Sequence, residues 1–206
     1  MDNDRNIDNA VSYDLICEEW QRFRNSTTIN KCIVDFVDRL APDGNVLDIG
    51  CGTGRPVAQY LADRNFFVTG IDISREMINK ARALRLKNAV FMHQDIADFS
   101  TTTRFDGVIA FDSIWHVAKH KQPDVYRKIA SLMKEGAYLL FTHGNRDGET
   151  VGTMFGQKFY YGALSVDELT ALFSEIGLKI VSLTEHYKEQ TTGERDLLAI
   201  AQKVKS

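Results

Sequence analysis

The sequence is poor in cysteine, and the three it has, Cys17, Cys32 and Cys51, are odd in number, widely spaced and free of any CxxC pattern. A disulfide framework is therefore not written here, and a reducing cytoplasm is the expected setting. No stretch approaches the roughly 20 apolar residues of a bilayer-spanning helix, so no membrane partner is expected. The opening MDNDRNIDNA carries three aspartates and an arginine without an apolar core, and so reads as neither a secretory signal nor an anchor. Basic charge is also short. The formal net charge is −3 at pH 7, whereas a protein that docks on duplex nucleic acid usually carries a net basic surface to displace counterions. Nucleic acid is thus disfavoured as a partner.

What is present describes one domain. The 206 residues are 44% hydrophobic and 26% charged, with three prolines. A chain of this size buries about 70% of the surface its unfolded form exposes, so its core stands without disulfides or a structural metal.

Apolar, β-rich runs recur at Val46 to Ile49, Phe67 to Asp72, Ala89 to His93, Asp106 to Phe111 and Ala137 to Thr142, with helical patterns between them. That alternation predicts a parallel sheet in an α/β, doubly wound fold. Ser74 is placed to cap REMINKARAL; Pro123 starts a helix that Gly136 is expected to stop; Ser165 and Glu168 have capping-box spacing ahead of Leu169, Leu172, Phe173 and Ile176, with Gly177 as the stop. LKIVSLTEHYK and ERDLLAIAQKV are joined by a linker too short for a crossover helix, and so predict an antiparallel hairpin. Before Val46, Tyr13 to Phe23 and Ile29 to Leu40 read as helices, the second with Ile29, Ile33, Phe36, Val37 and Leu40 on its buried face. The single domain, 1–206, thus divides into a helical cap over 1–44, a core over 45–142, a segment over 143–165 and a helix plus hairpin over 166–206. Segment 143–165 holds five glycines among Phe155, Phe159, Tyr160 and Tyr161. It reads as a 23-residue loop, long enough to suggest a function.

The chemistry concentrates in Val46-Leu-Asp-Ile-Gly-Cys-Gly-Thr-Gly54, an apolar strand breaking into a glycine-rich turn where backbone can approach a ligand closely. A dinucleotide fingerprint would need glycine where Arg55 stands, and the Gly-Lys of a P-loop is absent. Asp48, two residues before the first glycine, would repel a pyrophosphate but attract an ammonium or sulfonium. Asp72 lies 22 residues after Gly50, about where an acidic residue holds ribose hydroxyls in doubly wound folds. Adenosine together with positive charge points to S-adenosylmethionine.

On these residues the chain resembles the class I S-adenosylmethionine-dependent methyltransferases, of the small stand-alone type. VLDIGCGTG is similar to that family's first motif, GIDIS to its acidic second-strand motif, HQDIADF to its third and FDGVIAFDSIWH to its fourth, in order over nearly the whole chain. The resemblance implies a Rossmann-like, seven-stranded sheet, mostly parallel with an antiparallel last strand and helices on both faces. It further implies that Gly50, Cys51 and Gly52 line the methionine part, with Asp48 near its ammonium. Asp72 would hold the ribose, Ile73 and Met77 would pack on adenine, and Asp95 and Ile96 would bond its edge. Phe111 would offer a carbonyl. Tyr13 and Arg24 on the N-terminal helices would fold over the cofactor, with Arg24 or Arg55 meeting its carboxylate.

Methyl transfer from a sulfonium is an in-line displacement that needs chiefly positioning, with a base where the acceptor must lose a proton. His116 and His143, at carboxyl ends of strands, are the candidate bases. Trp115, Tyr160 and Tyr161 are candidate walls for an acceptor. His116 and His120 are four apart but lack an HExxH pattern, so no metal is expected. The Asn-Pro-Pro-Tyr-type signature of base methylation is absent from Ala110-Phe-Asp-Ser113, so a small-molecule acceptor is favoured, then protein, then RNA. A cofactor-binding regulator without catalysis and an NAD-dependent oxidoreductase are the alternatives.

Overall fold

The computed structural model describes residues 7–189 and 193–204. Three short helices come first: α1 (Asn9–Leu15), α2 (Cys17–Asn25) and α3 (Lys31–Val37). The expected Tyr13 to Phe23 helix is broken at Ile16, whose side chain is 2% exposed and which separates α1 from α2. Alternation then sets in, with β1 (Asn45–Ile49), α4 (Val57–Ala62), β2 (Phe67–Asp72), α5 (Arg75–Ala83), β3 (Ala89–His93), β4 (Phe105–Ala110), α6 (Gln122–Leu132) and β5 (Met133–His143). The chain continues through β6 (Gly148–Met154), β7 (Gln157–Ala163), α7 (Val166–Glu175), β8 (Leu178–Glu189) and β9 (Gly193–Lys203).

Seven strands form one sheet in the order β3-β2-β1-β4-β5-β9-β8. β9 pairs antiparallel with both β5 and β8, and the other pairings are parallel, so the sheet is mixed with an antiparallel final strand. Side chains along β1 alternate between two cores. Val46 joins the helices α3, α4 and α5 on one face, whereas Leu47 and Ile49 join α6 and α7 on the other. Strand order reverses between β1 and β4, and in open α/β sheets ligands bind in the crevice at the carboxyl ends of strands at that switch point.

The helix signals act as read. Ser74 Oγ accepts from the Met77 N–H to cap α5, and Ser165 with Glu168 forms a reciprocal capping box on α7. Gly177, at φ 73°, follows the last turn of α7.

Two expectations are corrected. α6 stops at Leu132 rather than at Gly136, because Met133 already pairs with Phe105 while the Lys203 ammonium donates to the carbonyls of Ala130 and Met133. Segment 143–165 is not an unstructured loop: β6 and β7 form an antiparallel hairpin from Gly148↔Ala163 to Met154↔Gln157. Phe155 and Gly156 both take positive φ, 47° and 79°, which is the backbone of a two-residue hairpin turn, and the aromatic β-formers Phe159 to Tyr161 supply one arm. The turn between β8 and β9 lies outside the described residues.

Candidate functional site

A cavity of about 250 Å³ opens at the switch point. Its floor is the turn after β1. Gly50, Gly52 and Gly54 have φ of 73°, 53° and 79°, and the N–H groups of Gly50 and Cys51 both donate to the Ile71 carbonyl at 2.8 and 3.1 Å. A Cβ on Gly50 would fall 2.5 Å from the Ser113 Cβ, so only glycine lets the turns after β1 and β4 meet.

Asp72, at the end of β2, ties this floor to the next unit. Its Oδ2 accepts from the Gly52 N–H and its Oδ1 from the Ser74 N–H, each at 2.8 Å. Burial raises its pKa to about 6, against the pull of those two backbone donors. Asp48 lies beneath the turn, 3% exposed, with Oδ2 buried and unpartnered. Burial first, and the neighbouring Asp72 charge second, push it up to about 7. A buried carboxylate oxygen without a partner is costly, and it fits an ammonium donor brought by a ligand.

Arg24, from α2, supplies the opposite charge at 7% exposure. Its Nε–H donates to the Arg55 carbonyl at 3.5 Å, and it makes no ion pair among the described residues. Burial lowers its pKa, with the Asp112 charge opposing. A buried guanidinium of this kind fits a carboxylate.

The N-terminal helices close the cavity from above. Asn9 pairs with the backbone of Tyr160, Nδ2 donating to its carbonyl at 3.0 Å and Oδ1 accepting its N–H at 2.9 Å. Ser12 Oγ donates to the Lys158 carbonyl at 2.7 Å. On the other flank, Asp14 Oδ1 accepts from Ser74 Oγ and the Glu76 N–H. α1 thus bridges the β6–β7 hairpin and the start of α5.

His116 ends a single 3-10 turn, Ile114–His116, beyond β4. Its Nδ1 lies 2.9 Å from the Tyr160 carbonyl oxygen, which can only accept, so Nδ1 carries the hydrogen. The other nitrogen, Nε2, is then the acceptor for the Tyr13 hydroxyl at 2.9 Å. Burial lowers the His116 pKa to about 4 and raises that of Tyr13, so both are neutral near pH 7.

All thirteen residues assigned to the cofactor from sequence line this one cavity: Tyr13, Arg24, Asp48, Gly50, Cys51, Gly52, Arg55, Asp72, Ile73, Met77, Asp95, Ile96 and Phe111. His116 lines it too. His143 does not: it is fully buried, Nδ1 against the Gly144 carbonyl and Nε2 against Gln122 Oε1 at 2.8 and 3.0 Å. Gln122 in turn donates to the carbonyls of Val117 and Gly162, so His143 belongs to the packing beneath the site rather than to its surface. Trp115 and Tyr161 line a second, adjoining cavity of about 590 Å³, and the Tyr161 ring packs 4.8 Å from that of His116. The Tyr160 hydroxyl is turned to Glu149 and the Lys119 N–H.

Several lining residues were not anticipated. Trp20 of α2 lies seven residues after Tyr13 of α1 and its ring packs 5.9 Å from that of Tyr13. Asp112, next after Phe111, sits at φ 57° and holds Arg195 of β9 through both carboxylate oxygens, with Nε at 2.9 Å. Only its position at a strand end pointed to it. Among the described residues no cluster of His, Cys, Asp and Glu could hold a metal, and no helix is long and apolar enough to cross a membrane.

Comparison with known proteins shows the family and the fold. The model of a family described as a methyltransferase domain matches residues 20–183. The O-methyltransferase cnsE of Penicillium expansum is 28% identical over 159 residues, 71% of this chain and 57% of that protein. The ubiquinone biosynthesis O-methyltransferase of Stutzerimonas stutzeri is 28% identical, covering 89% of this chain and 92% of that one. Of the first two relatives compared, the chain spans 57% and 58% of the length. Among solved structures, the Burkholderia thailandensis 1,6-didemethyltoxoflavin-N1-methyltransferase, with its substrate and S-adenosylhomocysteine bound, superposes with a TM-score of 0.72 at 18% identity, covering 95% of this chain and 85% of that one. Magnesium protoporphyrin IX methyltransferase from Synechocystis superposes at 0.71 and 19% identity, covering 94% and 97%.

Proposed function

The chain belongs to the methyltransferase-domain family, and from that premise we propose that it transfers a methyl group from S-adenosylmethionine to a small-molecule acceptor. The observation that carries this reading is the buried, unpartnered Asp48 Oδ2 under a glycine turn whose other carboxylate, Asp72, is held in place by backbone. Bound there, S-adenosylmethionine supplies a sulfonium methyl group open to in-line displacement.

The residues present fit that group. Asp48 would take the ammonium and Arg24 the carboxylate. Asp72 has both oxygens oriented by N–H donors and keeps further lone pairs for ribose hydroxyls. Met77 and Ile73 offer an apolar slot for adenine, with Asp95 and Ile96 at its edge. Tyr13, Trp20 and Arg24 of α1 and α2 line the cavity from above, and charge contacts shielded there from bulk water would be stronger. Trp115 and Tyr161 face the adjoining cavity, and this supports an acceptor held against aromatic walls beside His116. The three free, buried cysteines suit a reducing cytoplasm.

Thermal shift tests the reading. S-adenosylhomocysteine at 100 times its dissociation constant should stabilise the fold by about 2.7 kcal/mol, several degrees for a domain of this size. A midpoint raised by NADH and unmoved by S-adenosylhomocysteine would overturn it in favour of an oxidoreductase. Cofactor binding without turnover on a broad panel of phenols, thiols, amines and carboxylates would favour a regulator.

A further inference from the structure

The polar capacity of the His116 ring is already taken up. Its Nδ1–H meets the Tyr160 carbonyl, its Nε2 lone pair accepts the Tyr13 hydroxyl, and the rings of Tyr161 and Phe159 stand 4.8 and 5.8 Å from it. A ligand in the cavity therefore meets the Tyr13 oxygen before it meets the imidazole. That oxygen has donated its one hydrogen and keeps lone pairs for an incoming donor.

Resting on the methyltransferase reading, we propose that the acceptor is a hydroxyl, alcoholic or phenolic, and that its proton leaves through Tyr13 to His116. As the acceptor oxygen bonds to the methyl carbon and the carbon–sulfur bond breaks, the hydroxyl proton passes to Tyr13 Oη while the tyrosine's own proton passes to His116 Nε2. The products are the methyl ether, the neutral thioether and an imidazolium, so the single positive charge moves from sulfonium to ring. The imidazolium then returns its proton to solvent when the lid opens.

Three features favour a hydroxyl over an amine or a thiol. An amine attacks through its lone pair and sheds a proton to water afterwards, and a thiol is already a few per cent ionised at about pH 7 and intrinsically very nucleophilic, so each depends on a relay less than a hydroxyl does. The groups facing His116 are the tyrosines of α1 and β7 with the rings of Trp115 and Phe159; the Asp112 charge also acts on it, and Asp112 is already held by Arg195. No carboxylate pairs with the ring among the described residues, so the proton that reaches Nε2 meets a neutral imidazole. A hydroxyl becomes strongly acidic only as its oxygen is methylated, and a weak neutral base suffices at that moment.

The test compares wild type with Tyr13→Phe and His116→Gln on phenols and on their thiol analogues, following S-adenosylhomocysteine release, with its binding measured on the same preparations. Each variant should slow the phenols about a hundredfold, a general-base effect, and at least tenfold more than it slows the thiols. Nitrogen NMR on histidine-labelled protein should show His116 with hydrogen on Nδ1 and a bare Nε2 in wild type. Phenol and thiol rates that fall together, turnover of amines or thiols alone, an inert panel with cofactor bound, or the opposite tautomer would each overturn the relay. Failure of wild type to bind S-adenosylhomocysteine would instead overturn the methyltransferase reading beneath it.

Discussion

The two halves of the cavity are built in different ways. On the floor proposed for the cofactor, the contacts run between near neighbours in sequence: Asp72 to Ser74, two residues apart, and Asp72 to Gly52, 20 apart, both through backbone N–H groups. On the acceptor side they run between side chains and segments far apart: Tyr13 to His116 over 103 residues, Asn9 to Tyr160 over 151, Arg195 to Asp112 over 83. A wall made from one strand–turn–helix unit and the strand beside it is fixed by local geometry and tolerates little change. A wall assembled from a lid helix, a hairpin and the last strand can be altered piece by piece, which lets one cofactor site serve many acceptors.

The strongest way to break this contrast is at Asp72. Asp72→Ala removes hydrogen bonds to a charged group, worth about 1.5–3 kcal/mol, and S-adenosylhomocysteine should bind about a hundredfold more weakly by calorimetry. Affinity kept within about threefold would show that the local wall does not hold the ribose.

Acidity should also act on the cofactor half first. Asp48 and Asp72 lie near 7 and 6, both raised by burial from an ordinary 3.8. A carboxylate raised on folding contributes stability that is full below about pH 4 and is lost as pH climbs through the folded value, so in the ligand-free protein these two groups weaken the fold between about pH 4 and 7. A ligand whose ammonium group meets Asp48 reverses the sign, because that contact requires the ionised carboxylate. The affinity for S-adenosylhomocysteine should therefore rise on the order of tenfold from pH 5.5 to 8. A flat profile would mean that neither carboxylate meets the ligand's charge.

A smaller effect sharpens the other half. Asn9→Ala unlatches α1 from Tyr160, and turnover should fall about tenfold while cofactor affinity stays within about threefold, as for loss of a hydrogen-bonded pair in a lid. Equal losses in both would show that the lid serves the two halves alike.

Legibility followed the same division. Val46 to Gly54 and Asp72 stand at spacings set by one strand–turn–helix repeat, so periodicity and glycine placement revealed the sheet and the floor of the cavity, while the rest of the thirteen lining residues came from the resemblance to the methyltransferase family. The β6–β7 hairpin was missed because glycines diluted its alternation, and its turn, Phe155-Gly156, lacks the Asn-Gly or Asp-Gly pair that announces one. His143 looked equivalent to His116, each lying just beyond a strand. Gln122, reaching from α6, makes the difference by drawing His143 into the interior.

The sequence by itself therefore determined the doubly wound sheet and the glycine-rich floor of the cavity, since each depends on backbone conformations that short segments impose. The tertiary structure alone decided which histidine faces the cavity, which tautomer it holds and which tyrosine reaches it. Those contacts span 21, 44 and 103 residues, and no local periodicity encodes the packing that brings Tyr13 within 2.9 Å of His116.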